Sequence, residues 1–362
     1  MQQSLNRGHG SRIQDVLSIY GAALDAVREV ARDPAGEVLR VAIDKFAAGA
    51  GLPVGDAFFE TALTLKAAHQ GEILWQINKM MDKPALRTRL ADRLAETVYS
   101  PEALSSAPPP SYAADAEVFA RDGFLGLAGL VSEGEARGML AYLKTCTALT
   151  RQETVLHHEP RDVARAPYAF RIATDERLLA VAHGHLGVAP TILQMDAWWS
   201  LPESETPMGA QIFHRDRDDF RACKLFVYLS DVTADDGPHI FVRGSHREDM
   251  VQDILAKNGR SGAAAVFFAR NGRHLAGAIE SVFGGAVREI TGPPGTSFLE
   301  NTYGFHRGKV PKTGSRCVFQ VLYGVVPYAH SLERWSGVDL AFLPSDCGDS
   351  PLARHAARFA AP

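Results

Sequence analysis

Gln211-Ile212-Phe213-His214-Arg215-Asp216 runs through a short polar turn into Lys224-Leu225-Phe226-Val227-Tyr228-Leu229. The first segment reads as a strand ending in a His-x-Asp pair, the second as a buried strand. In an extended chain, residues two apart point to the same face, so one imidazole and one carboxylate are presented together. They supply two of the three ligands of a facial metal triad, and the third must come from elsewhere. His306, in Tyr303-Gly304-Phe305-His306-Arg307-Gly308, follows another β-like run, Thr296–Glu300, and precedes Val318-Phe319-Gln320-Val321-Leu322-Tyr323. Ile240-Phe241-Val242 is strand-like as well. Short strands separated by Gly, Pro and Asp predict a sandwich or barrel rather than alternating βαβ units.

A His-x-Asp pair alone is a weak signal in a chain with 13 histidines. His246-Arg247-Glu248 and His157-His158-Glu159 offer rival pairs. The first follows Gly244-Ser245, a turn. The second precedes Pro160 in a polar stretch where nothing indicates a paired strand. His239 and His246 both lie in the turn-strand-turn block 235–247, where hydrogen bonding within the turn is the expected role. Arg316 opens the apolar strand that ends at Tyr323. A guanidinium inside such a strand is expensive unless it meets an anion, and it can grip a carboxylate through two parallel hydrogen bonds. The alternative is a surface arginine at a strand end. Trp198-Trp199 line a cavity or belong to the core. Arg171 reads as a surface salt bridge, and Asp218, Asp219 and Arg221 as a polar turn.

Upstream the texture is helical. Ile13, Val16, Leu17, Tyr20, Leu24 and Val27 share one helix face, which Asp33-Pro34 closes. Further helices are expected at 37–48, from about 56 to 81, and from Pro84 to Tyr99. Residues 1–105 therefore form a helical N-terminal extension and 106–111 a Pro-rich linker. Ser132 is placed to cap a helix opening at Glu133. The β domain spans 112–350, and its segment 251–285 reads as an insertion that walls or covers a site.

With 362 residues, 46% of them hydrophobic, and a formal net charge of -4, the chain reads as a globular protein without a nucleic-acid-binding stripe. No apolar run is long enough to span a membrane, and the start lacks the apolar core of a signal peptide. The four cysteines, Cys146, Cys223, Cys317 and Cys347, are scattered, which excludes a disulfide framework and a CxxC zinc site. The expectation is a cytoplasmic, reduced protein acting on a small molecule.

His214-Arg215-Asp216, then Lys224–Val232, Asp236-Gly237-Pro238-His239 and Gly244-Ser245-His246, resemble the phytanoyl-CoA dioxygenase (PhyH-like) family in order and spacing. The likeness continues at His306-Arg307-Gly308 and Arg316, and covers roughly residues 112–330. It implies an α+β fold with a double-stranded β-helix (jelly-roll, cupin-like) core and flanking helices. It also implies Fe(II) held by His214, Asp216 and His306, with 2-oxoglutarate as co-substrate anchored by Arg316, and O2. Such an enzyme hydroxylates an unactivated C–H bond with release of succinate and CO2; desaturation, cyclisation or epimerisation use the same site. Some relatives carry a hydroxyl residue where this chain has Gly308, so Gln211 or Lys224 is a candidate helper to Arg316. The intact Asp216 argues against halogenation. A non-catalytic metal- or ligand-binding protein is the alternative from another class.

Overall fold

The computed structural model describes residues 2–81, 83–98, 110–152, 154–202, 207, 209–260, 262, 267–268, 272–328 and 348–359. Most of the expected linker lies outside the described residues; Pro110–Tyr112 is a short 3-10 turn.

Among the described residues, five helices build the extension: α1 (Gln2–Arg32), α2 (Glu37–Gly49), α3 (Asp56–Thr64), α4 (Ala67–Met80) and α5 (Pro84–Val98). Val16, Tyr20, Leu24 and Val27 of α1 are buried, as their spacing requires. The single helix expected over 56–81 is two. Leu65 and Lys66 are extended, with ψ of 161° and 152°. The Gln70 amide then donates to the carbonyls of Leu63 (3.1 Å) and Leu65 (2.9 Å), satisfying acceptors that the broken helix leaves open. Both pieces bury one face in the same core, so the apolar periodicity runs across a break that sequence spacing cannot reveal.

Beyond the linker come α6 (Ala113–Asp122), β1 (Phe124–Gly126) and α7 (Glu133–Leu143), the last opened by Ser132 in a reciprocal capping box with Glu135. Strands β2 (Ala148–Gln152) and β3 (Val155–His158) precede helices α8 (Pro160–Arg165), α9 (Ala169–Ala173) and α10 (Glu176–Leu186). The remaining strands are β4 (Thr191–Ser200), β5 (Ala222–Tyr228), β6 (His239–Val242), β7 (Val287–Ile290), β8 (Ser297–Glu300), β9 (His306–Gly308) and β10 (Arg316–Gly324). Helices α11 (Glu248–Lys257) and α12 (Ala276–Phe283) lie between β6 and β7, and α13 (Pro351–Ala357) closes the described chain.

The fold mixes helices with two antiparallel sheets, one in the order β1-β8-β5-β10-β4-β3-β2 and one in the order β7-β6-β9. Register sorts the side chains of the large sheet. Lys224 pairs with Glu300 and Leu322, Phe226 with Phe298 and Gln320, and Gln320 with Asp196, which puts this set on one face. That face meets the small sheet, where the Phe226 and Phe298 rings lie 4.8 and 5.5 Å from the ring of His239. The opposite set (Cys223, Leu225, Val227, Leu299, Phe319, Val321, Tyr323) joins the helices in the main hydrophobic core. Burial on both faces is why Leu225–Leu229 is continuously apolar instead of alternating.

The extension is stitched to the segment that follows the His-x-Asp pair. Asn78 donates to the Arg217 carbonyl (2.9 Å), Arg217 returns a bond to the Lys79 carbonyl (2.7 Å), and Arg87 donates to the Asp219 carbonyl. Trp75 meets Tyr328 edge-on at 5.3 Å. The Asp219 carboxylate ties this junction together. It accepts from the amides of Phe220 (2.7 Å), Val325 and Val326 (2.8 Å) and from the Tyr328 hydroxyl (3.0 Å). Burial pushes its carboxyl up to about 6, against the four hydrogen bonds that pull it down. Asp219→Asn would turn an NH2 group towards amide donors. We expect it to lower unfolding stability by about 3 kcal/mol in urea titrations. A loss below ~1 kcal/mol would mean that the junction does not depend on this carboxylate.

Candidate metal centre

Gln211-Ile212-Phe213 is not the regular strand expected. Gly209–Gln211 is a 3-10 turn, and strand pairing is confined to two isolated bridges, Phe213 with His274 and His214 with His306. Extended backbone nevertheless persists through the pair. His214 N–H donates to the His306 carbonyl (3.0 Å), His306 N–H to the His214 carbonyl (3.1 Å), and Asp216 N–H to the Thr302 carbonyl (2.8 Å). Alternate residues thus present both side chains on one side, against a histidine far away in sequence.

The nitrogen and oxygen ligand atoms of His214, Asp216 and His306 lie within 4.8 Å of one another, the one such group among the described residues. Nε2 of His214 is 3.4 Å from Asp216 Oδ1, and Nε2 of His306 is 3.3 Å from Asp216 Oδ2. The other ring nitrogens fix the tautomers. His214 Nδ1 lies 2.9 Å from the Ile212 carbonyl and His306 Nδ1 2.9 Å from that of Gly304. A carbonyl only accepts, so each Nδ1 carries the hydrogen and each Nε2 turns a lone pair towards Asp216. Burial, and then the neighbouring His214, hold His306 below the ordinary histidine value, which favours the neutral ring a metal requires. Burial alone would raise Asp216. The Lys224 ammonium outweighs this and holds it well below the usual carboxylate range. Two neutral imidazoles and one carboxylate on one side fit an octahedral divalent metal with open positions.

Lys224, a candidate helper to Arg316, is placed on two aspartates. Its Nζ lies 2.6 Å from Asp216 Oδ2 and 2.7 Å from Asp218 Oδ2. Burial lowers the ammonium, but the two aspartates outweigh it and hold Lys224 above its ordinary value. Gln211 is buried with its amide 3.4 Å from Thr154 Oγ1. Arg316 is buried on the sheet face that meets the small sheet. It donates to the Gly237 carbonyl and to Ser200 Oγ (3.3 Å) and reaches Tyr228, none of them an anion, and its Nε has no partner. A Cβ on Gly308 would stand 2.8 Å from an Arg316 nitrogen. The missing side chain at 308 is therefore what gives the guanidinium its place.

The rival histidines separate cleanly. His157 does lie in a paired strand, β3, contrary to the polar-loop reading. Its Nδ1 sits 3.1 Å from Asp196, outside the metal group. His246 Nε2 meets the Ala120 carbonyl at 3.0 Å. His239 does not bond within its turn either: β6 pairs between β7 and β9, and this carries its side chain inward to Glu300, Nε2 to Oε2 2.8 Å. Arg171 makes the expected ion pair, with Glu135 at 2.9 Å. Trp198 stacks near His157 at 5.7 Å while Trp199 packs on the main core, one to each face. A cavity of about 620 Å³ reaches Asp216 and is walled by Pro84, Arg87 and Thr88 of α5 and by Asn301–Tyr303. Helices α11 and α12 of the expected insertion share a cluster with Phe213 and Phe305, the residues just before His214 and His306.

Glu300 was not singled out from sequence, although Phe298-Leu299-Glu300 held a usable signal: a carboxylate inside an apolar strand, as odd there as Arg316. It is fully buried, and burial pushes it up to about 8.

No protein-family model and no curated protein sequence matches the chain. Solved structures do. HygX from Streptomyces hygroscopicus, with nickel, 2-oxoglutarate and hygromycin B bound, is similar over 60% of this chain and 87% of its own, at 20% identity and a TM-score of 0.40. EctD from S. alaskensis, with 2-oxoglutarate and 5-hydroxyectoine, covers 64% and 79% at 20% identity and 0.41. The epimerase SnoN, in complex with Fe3+, alpha ketoglutarate and nogalamycin RO, covers 60% and 84% at 18% identity and 0.40. Superpositions this loose carry no weight in assigning a function, which rests on the chain's own residues.

Proposed function

We propose that the chain is a PhyH-like oxygenase that uses Fe(II) and 2-oxoglutarate to hydroxylate an unactivated C–H bond of a small molecule. The observation that carries this reading is the pair of imidazoles locked by backbone carbonyls, with both Nε2 atoms turned on one carboxylate. In this reading the two facing sheets are the double-stranded β-helix, residues 112–350 the oxygenase domain and 251–285 a site wall.

Iron, when bound with 2-oxoglutarate, supplies the oxidising power: O2 and the 2-oxo acid become succinate and CO2 while one oxygen atom enters the substrate. The protein's residues do the rest. His214, Asp216 and His306 hold the metal on one side and leave the other open. Lys224 occupies one oxygen of Asp216, so that the carboxylate keeps a single orientation. Arg316 grips the far carboxylate of the co-substrate. The α11–α12 cluster around Phe213 and Phe305 keeps water from the ligand-bearing turns.

The test is anaerobic reconstitution with Fe(II) and 2-oxoglutarate, read by the weak visible charge-transfer band of the chelate. We expect the band. Iron-loaded protein that shows none, and that binds no 2-oxoglutarate by calorimetry, would be a metal- or ligand-binding protein without this chemistry.

A further inference from the structure

Between the metal ligands and Arg316 lies a buried polar pair that the reading above leaves without a role. Glu300 on β8 is fully buried and His239 on β6 nearly so. They face each other across the two sheets, 2.8 Å apart. On one side the rings of Phe226 and Phe298 pack on His239; on the other, the pair meets the charges of Lys224, Asp216 and Arg316. Leu or Phe at both positions would fill this space without desolvating a carboxyl group, so the pair is costly unless something uses it.

Position says what could use it. The His239 ring stacks over that of the ligand His306 at 5.7 Å and 21°. In the β6–β9 ladder His239 pairs with Gly308, the residue whose missing side chain makes room for the Arg316 guanidinium. His239 therefore stands beside the line from the metal to the anchor, where a five-carbon diacid would lie. The pair is also incomplete. Nε2 is taken by Glu300 and the backbone N–H by the Tyr228 hydroxyl (2.9 Å), while Nδ1 makes no hydrogen bond among the described residues. Glu300 Oε1 is buried without a partner. Buried polar atoms left open at a site call for a ligand to close them.

We propose that Glu300 and His239 form a positioning device for the co-substrate: Glu300 holds the imidazole, and His239 Nδ1 hydrogen-bonds the bound 2-oxo acid between the metal and Arg316. This rests on the co-substrate assignment above. Neither residue touches the reacting carbon; both act by fixing where the 2-oxo acid lies.

The experiment is an anaerobic 2-oxoglutarate titration of Fe(II)-loaded wild type, His239→Phe, Glu300→Leu and Glu300→Gln, with iron affinity and Tm measured on each. His239→Phe suits the aromatic surroundings and removes the bond. We expect it and Glu300→Leu to weaken 2-oxoglutarate binding by about 10- to 100-fold and to shift the charge-transfer band, with iron affinity kept. Glu300→Gln still reaches Nε2 and should restore most of the affinity. The inference is overturned if His239→Phe binds 2-oxoglutarate like wild type. It is equally overturned if affinity for 2-oxoglutarate falls only in step with iron affinity and Tm, the mark of a packing role. A wild type that shows no band fails earlier, at the co-substrate assignment itself.

Discussion

His306→Ala is expected to give a folded chain that no longer retains Fe(II). His306 is buried, reaches Asp216 through Nε2 and is oriented by the Gly304 carbonyl, so removing it deletes one of the three atoms proposed to hold the metal. The loss of iron affinity should be at least ~1000-fold, beyond the roughly 10- to 100-fold that losing an outer partner brings. The charge-transfer band should vanish with it. His246→Ala is the control, since His246 meets the Ala120 carbonyl instead of the triad; its iron affinity should match wild type. Iron binding also needs unprotonated Nε2 atoms. Because burial, and then the neighbouring His214, hold His306 below the ordinary histidine value, its ring stays neutral to lower pH than a free imidazole, and iron affinity should fall only as the pH drops into the acid range. Competition against a chelator at each pH measures all three effects. An alanine variant that holds iron within about tenfold of wild type would remove His306 from the ligand set.

What could be read from sequence is what depends on short-range pattern. The strands at 222–228, 239–242 and 316–324 follow from apolar runs, and the Ser132 cap from its own side chain and Glu135. The same-side arrangement of His214 and Asp216 follows from the two-residue period of extended chain, even though the backbone there is bridged at single residues and not laddered. Whatever depends on which elements meet was illegible. Nothing local to Lys224 says that it will face Asp216 instead of Arg316, because that follows from the β5–β8 register and the turn at 216–221. Nothing near His239 tells that β6 will aim it at a glutamate 61 residues away. The break at Leu65-Lys66 is hidden for a related reason: it is stabilised by Gln70, whose side chain reads as ordinary helix surface until the turn exists. The extension's docking onto 217–221 depends on side chains meeting backbone carbonyls, which carry no sequence signature at all.

Arg316→Leu is expected to act in opposite directions on binding and on stability. In the proposed co-substrate complex, Arg316 and the far carboxylate would form a buried, hydrogen-bonded charge pair. Truncating one side of such a pair costs about 2–5 kcal/mol, so 2-oxoglutarate affinity should fall by roughly 30-fold or more while iron affinity is kept. Without co-substrate the balance reverses. Arg316 is 4% exposed and its bonds go to the Gly237 carbonyl, Ser200 and Tyr228, so among the described residues the apo protein carries a buried cation that no anion offsets. Leucine removes that desolvation cost, and the apo Tm should stay level or rise. Ligand stabilisation grows with the logarithm of concentration over Kd, so the rise in Tm that 2-oxoglutarate gives wild type should disappear from the variant at the same concentration. Arg316→Lys keeps the charge without the two-pronged grip and should fall between the two. If Arg316→Leu instead lowers the apo Tm and leaves 2-oxoglutarate affinity alone, Arg316 is a structural tie between Gly237 and Ser200. The anion site would then have to be sought among other buried cations.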